Sequence, residues 1–134
     1  MTPEDKQLLL KDLCARLPYG VKVRYKSVEG EGDIKLGYGN IGYVSDLGRG
    51  WWIECKPYLR PMSSMSDEEK KKYNQFVKGL HGLDGRVTPL KFCEERDLCK
   101  CFDWLNAHHF DYCGLIKKDL AIAVTEENNQ YKKQ

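Results

Sequence analysis

Across Pro18–Gly20 the hydrophobic period of the chain changes from 3.6 residues to two, and that change decides the fold class. Upstream, Leu9, Leu10, Leu13, Cys14 and Leu17 recur at helical spacing, behind a start made of Thr2, Pro3, Glu4 and Asp5. A hydroxyl cap, a proline at the first helical position and early carboxylates all favour a helix N-terminus there. Cys14 falls on the apolar face and reads as a small buried hydrophobe. Downstream, Val21, Val23 and Tyr25 alternate with Lys22, Arg24 and Lys26, the pattern of a half-buried antiparallel strand with a cationic outer face.

The period of two continues. A turn over Glu29–Asp33 leads to Ile34, Leu36 and Tyr38, and Gly39–Asn40 suits a tight hairpin into a strand over Ile41–Val44. A polar loop, Ser45–Gly50, precedes a strand over Trp51–Lys56. Alternation sets Trp51 on one side with Ile53 and Cys55, and Trp52 on the other with Glu54 and Lys56, which makes Trp52 the candidate surface anchor. KPYLRP then reads as an extended connector between strand and helix.

Ser66, Asp67, Glu68 and Glu69 write a capping box. Tyr73, Phe76, Val77 and Leu80 supply the apolar face of the helix that follows, Lys70–Lys72 its solvated side, and Gly79 a stop. GLHGLDG, residues 79–85, lacks both the spacing and the strand-to-helix context of a phosphate loop, and reads as a turn-rich connection. A third helix carries the stripe Leu98, Cys101, Phe102, Leu105 and His109. Asp111 is placed to cap a short helix, and the apolar run Leu120–Val124 returns to the sheet as a strand.

Six cysteines and three histidines raise two chemical hypotheses. A zinc site would draw on Cys93, Cys99, Cys101, His108, His109 and Cys113, yet zinc wants four ligands converging tetrahedrally. On a helix Cys99 and Cys101 diverge by about 200°, and Cys101 lies about 10 Å from His108 along the axis. A cysteine nucleophile needs a histidine base beside it and amides aimed at an oxyanion. Asn106, His108, His109, Asp111 and Cys113 supply residue types without such a motif. The sequence therefore assigns no catalytic residue, no metal ligand and no cofactor.

The charge balance, 22 basic against 20 acidic residues, is far from that of a dedicated nucleic-acid binder. The N-terminus lacks the pattern of a secretory signal, and no window is apolar enough for a membrane span. Those features predict a cytoplasmic protein with reduced cysteines and no membrane association.

KPYLRPMSSMSDEE (Lys56–Glu69) and FDWLNAHHFDYCGLIKKDLAIA (Phe102–Ala123) resemble a family of small uncharacterised proteins of gut Bacteroidetes, often associated with prophages or other mobile elements. The resemblance implies that genomic setting and a shared fold, and assigns no activity, ligand or residue role. In that family the position of Cys113 is often basic, which argues against a shared catalytic thiol.

The expectation is an α+β fold: an N-terminal helix, a small curved antiparallel sheet of three to five strands or a partly open barrel, and two further helices packed on it. Residues 1–124 form one domain and 125–134 a polar, flexible tail. The functional expectation is a non-enzymatic accessory or interaction module with a protein partner. Nucleic-acid binding through the cationic strand face Lys22, Arg24 and Lys26, with Trp52 or an exposed tyrosine for base stacking, is the alternative, and a metal or small-molecule site in the Cys/His region the second.

Overall fold

The computed structural model describes residues 2–81 and 95–131, with side chains for all of these except 77–81 and 95–99. The chain is α+β. Helix α1 (Pro3–Arg16) starts as its sequence dictates, with the Thr2 hydroxyl accepting the Asp5 amide at 3.1 Å. A hairpin of β1 (Lys22–Ser27) and β2 (Gly30–Lys35) follows, then a short helix α2 (Ile41–Ser45) and the strand β3 (Trp52–Leu59). Helices α3 (Asp67–His81) and α4 (Glu95–Ala107) and a two-residue strand β4 (Ile122–Ala123) complete the order.

The sheet runs β2-β1-β3-β4 and is open. It is mixed rather than wholly antiparallel, because β4 lies parallel to β3, Tyr58 opposite Ile122 and Leu59 opposite Ala123. Its core side packs Leu9, Leu13, Leu17, Val21, Val23, Leu36, Val44, Cys55, Leu59 and Leu115 together. A second cluster forms where α3 meets α4: Met65, Cys101, Leu105 and Phe110, flanked by Tyr73, Phe76 and Trp104.

Local signals held where the contacts are local. The capping box of α3 forms in both directions: the Glu69 amide donates to Ser66 Oγ at 3.2 Å and the Ser66 amide to Glu69 Oε1 at 2.9 Å. Asp111 is buried and accepts the amides of Leu115 and Ile116 at 2.8 and 3.0 Å, capping a hydrogen-bonded turn instead of a helix.

Elsewhere the structure corrects the sequence. Ile41–Ser45 is helical, not a strand. Asn40 Oδ1 accepts the Gly37 amide at 2.8 Å, and the Ile41 amide reaches back to the Gly37 carbonyl, so the chain coils before it can extend. The β1–β2 turn is tighter than expected, since Ser27 pairs with Gly30 and residues 31–33 already belong to β2. β3 runs through Pro57 to Leu59, because β4 pairs with it only from Tyr58 onward and the missing proline donor falls outside that pairing. α3 does not stop at Gly79 but continues to His81.

On α1 the buried face is rotated from the expected one. Leu9, Asp12, Leu13 and Arg16 are buried while Cys14 is exposed. The reason is Arg16, which donates from Nε to Asp12 Oδ1 at 2.5 Å and from Nη2 to the Phe110 carbonyl at 2.6 Å. Turning that guanidinium inward turns Cys14 outward. His109 is not on the helical stripe either. It follows α4 with φ 63°, while the amides of His109 and Phe110 close onto the carbonyls of Asn106 and Leu105. That is a Schellman close with a histidine in the left-handed position usually given to glycine. Phe102, also assigned to the buried stripe, is 41% exposed.

Candidate interaction surface

The four residues expected to form a cationic surface do not share one. Trp52 is 2% exposed, stacked on Tyr25 with ring centroids 4.9 Å apart, whereas Trp51 is 45% exposed. The cause is a β-bulge. Lys26 pairs with Glu54 but Ser27 pairs with Trp52, so Ile53 is extra and the alternation slips by one. Trp52 and Cys55 both turn into the core, and Ile53 is left 56% exposed.

Arg24 and Lys26 do lie on the outer face of the sheet, in the company of carboxylates. Arg24 contacts Glu31 at 3.0 Å and Asp33 at 3.4 Å, and Lys26 lies 3.7 Å from Glu54. Lys56 adds contacts to Glu54 and Asp119 at 3.5 and 3.2 Å. Such exposed pairs contribute about 0–1 kcal/mol each to stability, but they cancel the field that would draw a polyanion. The Lys22 backbone amide serves the fold through Tyr131.

Tyr131 stands in the segment expected to trail free of the domain. Instead its hydroxyl accepts the Lys22 amide at 2.9 Å and donates to the Tyr58 carbonyl at 2.7 Å, one rung beyond the Val23–Pro57 pair. Its ring stacks on His109 with centroids 3.6 Å apart. Thr125 and Asn128 tie the preceding turn to the Ala123 carbonyl.

In the Cys/His region Cys101 is buried and Cys113 half-buried, and Arg60, His108, His109 and Tyr131 line a cleft of about 520 Å³. Burial raises the Cys101 thiol, and burial followed by Asp12 pushes Cys113 up to about 11. Cys55 reaches about 12, chiefly through burial. At neutral pH these are thiols, not thiolates. Burial, then the neighbouring Arg16, His108 and Arg60, depress His109 to about 4. His108 is half-exposed with Nδ1 3.6 Å from Glu69 Oε2. Among the described residues no three His, Cys, Asp or Glu side chains converge as a metal would require. Cys93 and the side chain of Cys99 lie outside those residues.

Away from that region lies a cleft of different character. A cleft of about 580 Å³ runs between the first turns of α1 and the loop joining α2 to β3. Pro3, Leu10, Leu47 and Ile53 give it apolar walls, and Lys6 and Arg49 stand on its rim. The loop is braced by its own backbone: the Arg49 and Gly50 amides donate to the Asp46 carbonyl, and Gly48, at φ 82°, donates to the Trp52 carbonyl. The bulge supplies Ile53. A second cleft, about 770 Å³, lies between α1 and α4 beside Leu8, Ala15, Phe102, Tyr112 and Cys113. Sequence reasoning missed Lys6, Arg49 and Ile53 as surface candidates. Only the tandem Trp51–Trp52 hinted that one aromatic would face outward.

Comparison with protein families, with curated proteins and with solved structures finds no match to this chain. No helix among the described residues is long and apolar enough to cross a membrane.

Proposed function

We propose that the protein is a non-catalytic interaction module, serving an accessory role in the gut Bacteroidetes mobile-element setting that its sequence suggests, and that it binds a protein partner at the α1/β3 cleft. The observation that carries this reading is Ile53, an aliphatic side chain 56% exposed on a braced strand, in an apolar cleft and two residues from the half-exposed Trp51. Exposed apolar groups held on rigid elements are the usual anchors of a protein interface. The neutral thiols of Cys55, Cys101 and Cys113 and the paired guanidiniums of Arg16, Arg24 and Arg60 support the same reading, because those groups are engaged in holding the fold.

The test is a tagged pull-down from a gut Bacteroidetes lysate, split into nuclease-treated and untreated halves, with wild type beside Ile53→Glu and Trp51→Glu. A protein retained by wild type in both halves and lost with either variant supports the module. Retention that disappears on nuclease treatment would move the function to nucleic acid, and retention unaffected by both variants would remove this surface from the proposal.

A further inference from the structure

Resting on that reading and naming its partner, we infer that the α1/β3 cleft takes an acidic peptide segment of a partner protein, one large apolar side chain entering between Leu10, Leu47 and Ile53 while flanking carboxylates meet Lys6 and Arg49. The argument is one of charge and shape. No described residue lining the cleft carries a carboxylate, although two carry cations. Among the described residues neither Lys6 nor Arg49 is in an ion pair. On the outer face of the sheet the balance differs, since Arg24, Lys26 and Lys56 each have an acidic partner and only the Lys22–Lys35 pair of that face has none among the described residues. An incoming carboxylate would have to displace an internal one there, whereas in the cleft it meets cations without that competition.

The walls decide against a nucleic acid. They are aliphatic, so a base would find no aromatic face in the cleft on which to stack. The volume lies within the roughly 300–1,000 Å³ that ligand pockets span, room for a bulky side chain and its neighbours but shallow for a folded domain. Pro3 at the head of α1 and the self-bonded loop before β3 hold the two walls in place, so binding need not order either of them.

The experiment pans a displayed library of random twelve-residue peptides on the full-length protein at low salt, then measures synthesised winners by fluorescence polarisation. The expected winners place Asp or Glu on either side of a Leu, Ile, Phe or Trp. Their affinity should fall by roughly tenfold or more in Ile53→Glu and in Lys6→Glu/Arg49→Glu, and fall with added salt. Panning repeated on the charge-reversed variant should select basic flanks instead. Ile53 and Arg49 are exposed and Lys6 partly so, and a wild-type melting curve for each variant establishes that binding, not folding, has changed. Winners without acidic flanks, winners indifferent to these substitutions, the absence of winners, or displacement of a winner by a single-stranded oligonucleotide would each overturn the inference. A partner captured from lysate through Ile53 would keep the interaction module standing even then, with a different chemistry in the cleft.

Discussion

Arg60 holds Glu69 through both terminal guanidinium nitrogens, Nη1 to Oε2 at 2.9 Å and Nη2 to Oε1 at 2.7 Å, while Oε1 also accepts the Ser66 amide that begins α3. The end of β3 and the start of α3 are thus joined at one carboxylate. The Arg60 hydrogen bond, opposed by burial and aided by Ser66, keeps that carboxyl down at about 2. Arg60 is fixed in turn by lying over the Phe110 ring, 4.2 Å from its centroid.

A carboxyl whose folded pKa is depressed stabilises the fold above its ordinary value near 4.5 and loses that contribution as the pH falls through about 2. Glu69→Gln should therefore cost about 1–3 kcal/mol at pH 7, with the gap to wild type narrowing toward pH 2. Urea midpoints at pH 7, 4 and 2 measure it. A gap that stays constant with pH would mean that the charge contributes nothing.

Tyr131→Phe removes only the oxygen that bridges β1 and β3. The Lys22 amide and Tyr58 carbonyl would be left without this partner, at a cost of about 1–3 kcal/mol. Equilibrium unfolding checks this, and a change within about 0.5 kcal/mol would show that solvent replaces the hydroxyl without loss.

The bulge makes the two adjacent tryptophans unequal. Trp52→Ala should destabilise by about 3–5 kcal/mol, and Trp51→Ala by less than about 1 kcal/mol. Fluorescence of the two single variants offers a second readout: with Trp104 emitting in both, the spectrum of Trp51→Ala should be blue-shifted relative to that of Trp52→Ala. Equal losses would place the bulge elsewhere.

Asp12 and Arg16 are both fully buried in their side chains. Asp12→Asn should cost about 3–5 kcal/mol by leaving a guanidinium charge unpaired in the core, whereas Asp12→Leu with Arg16→Met should cost much less than the single change. Denaturation of the two variants side by side decides it. If the double variant is the worse, the Phe110 carbonyl depends on Arg16 more than the pair depends on itself.

Leu105 lies in the α3–α4 cluster, whereas Phe102 is 41% exposed and packs on Tyr112, so Leu105→Ala should cost about 2–4 kcal/mol and Phe102→Ala distinctly less. Thermal or urea unfolding reads both, and a Leu105 effect no larger than that of a surface change would put the wrong face of α4 against the core.

The parts of this fold that could be read in advance are those whose causes lie within a few residues. Thr2 and Ser66 cap their helices because the amides they serve are three positions away. The alternation of β1 needs nothing beyond itself. Asp12 and Arg16 also stood in view as an i, i+4 pair, a spacing ordinarily met on a solvated face; their burial depends on the Phe110 carbonyl, 94 residues further on. The bulge at Ile53 depends on where Ser27 stops pairing, and the parallel β4 on a return that no local pattern encodes. The same holds for the candidate surface: Lys6, Arg49 and Ile53 come from three separate elements and carry no shared motif. Gly39–Asn40 was ambiguous in another way, since Ile41 and Val44 fit a helix at i, i+3 as well as a strand's apolar content.

Two of the contacts that close this fold join residues 94 and 109 positions apart, from Arg16 to Phe110 and from Lys22 to Tyr131. Closing loops of that length costs entropy before the long-range contacts can compensate it, so such contacts form after the local ones. The β1–β2 hairpin and α1 can form as soon as they leave the ribosome. The bridge between Lys22 and Tyr58, by contrast, must wait for residue 131, so one end of the β1–β3 ladder gains its last hydrogen bonds only when the C-terminal segment is in place. Until then the Lys22–Tyr58 end of the seam lacks its side-chain tie, and slow synthesis of the C-terminal third should lengthen the interval in which that end is open to non-native pairing.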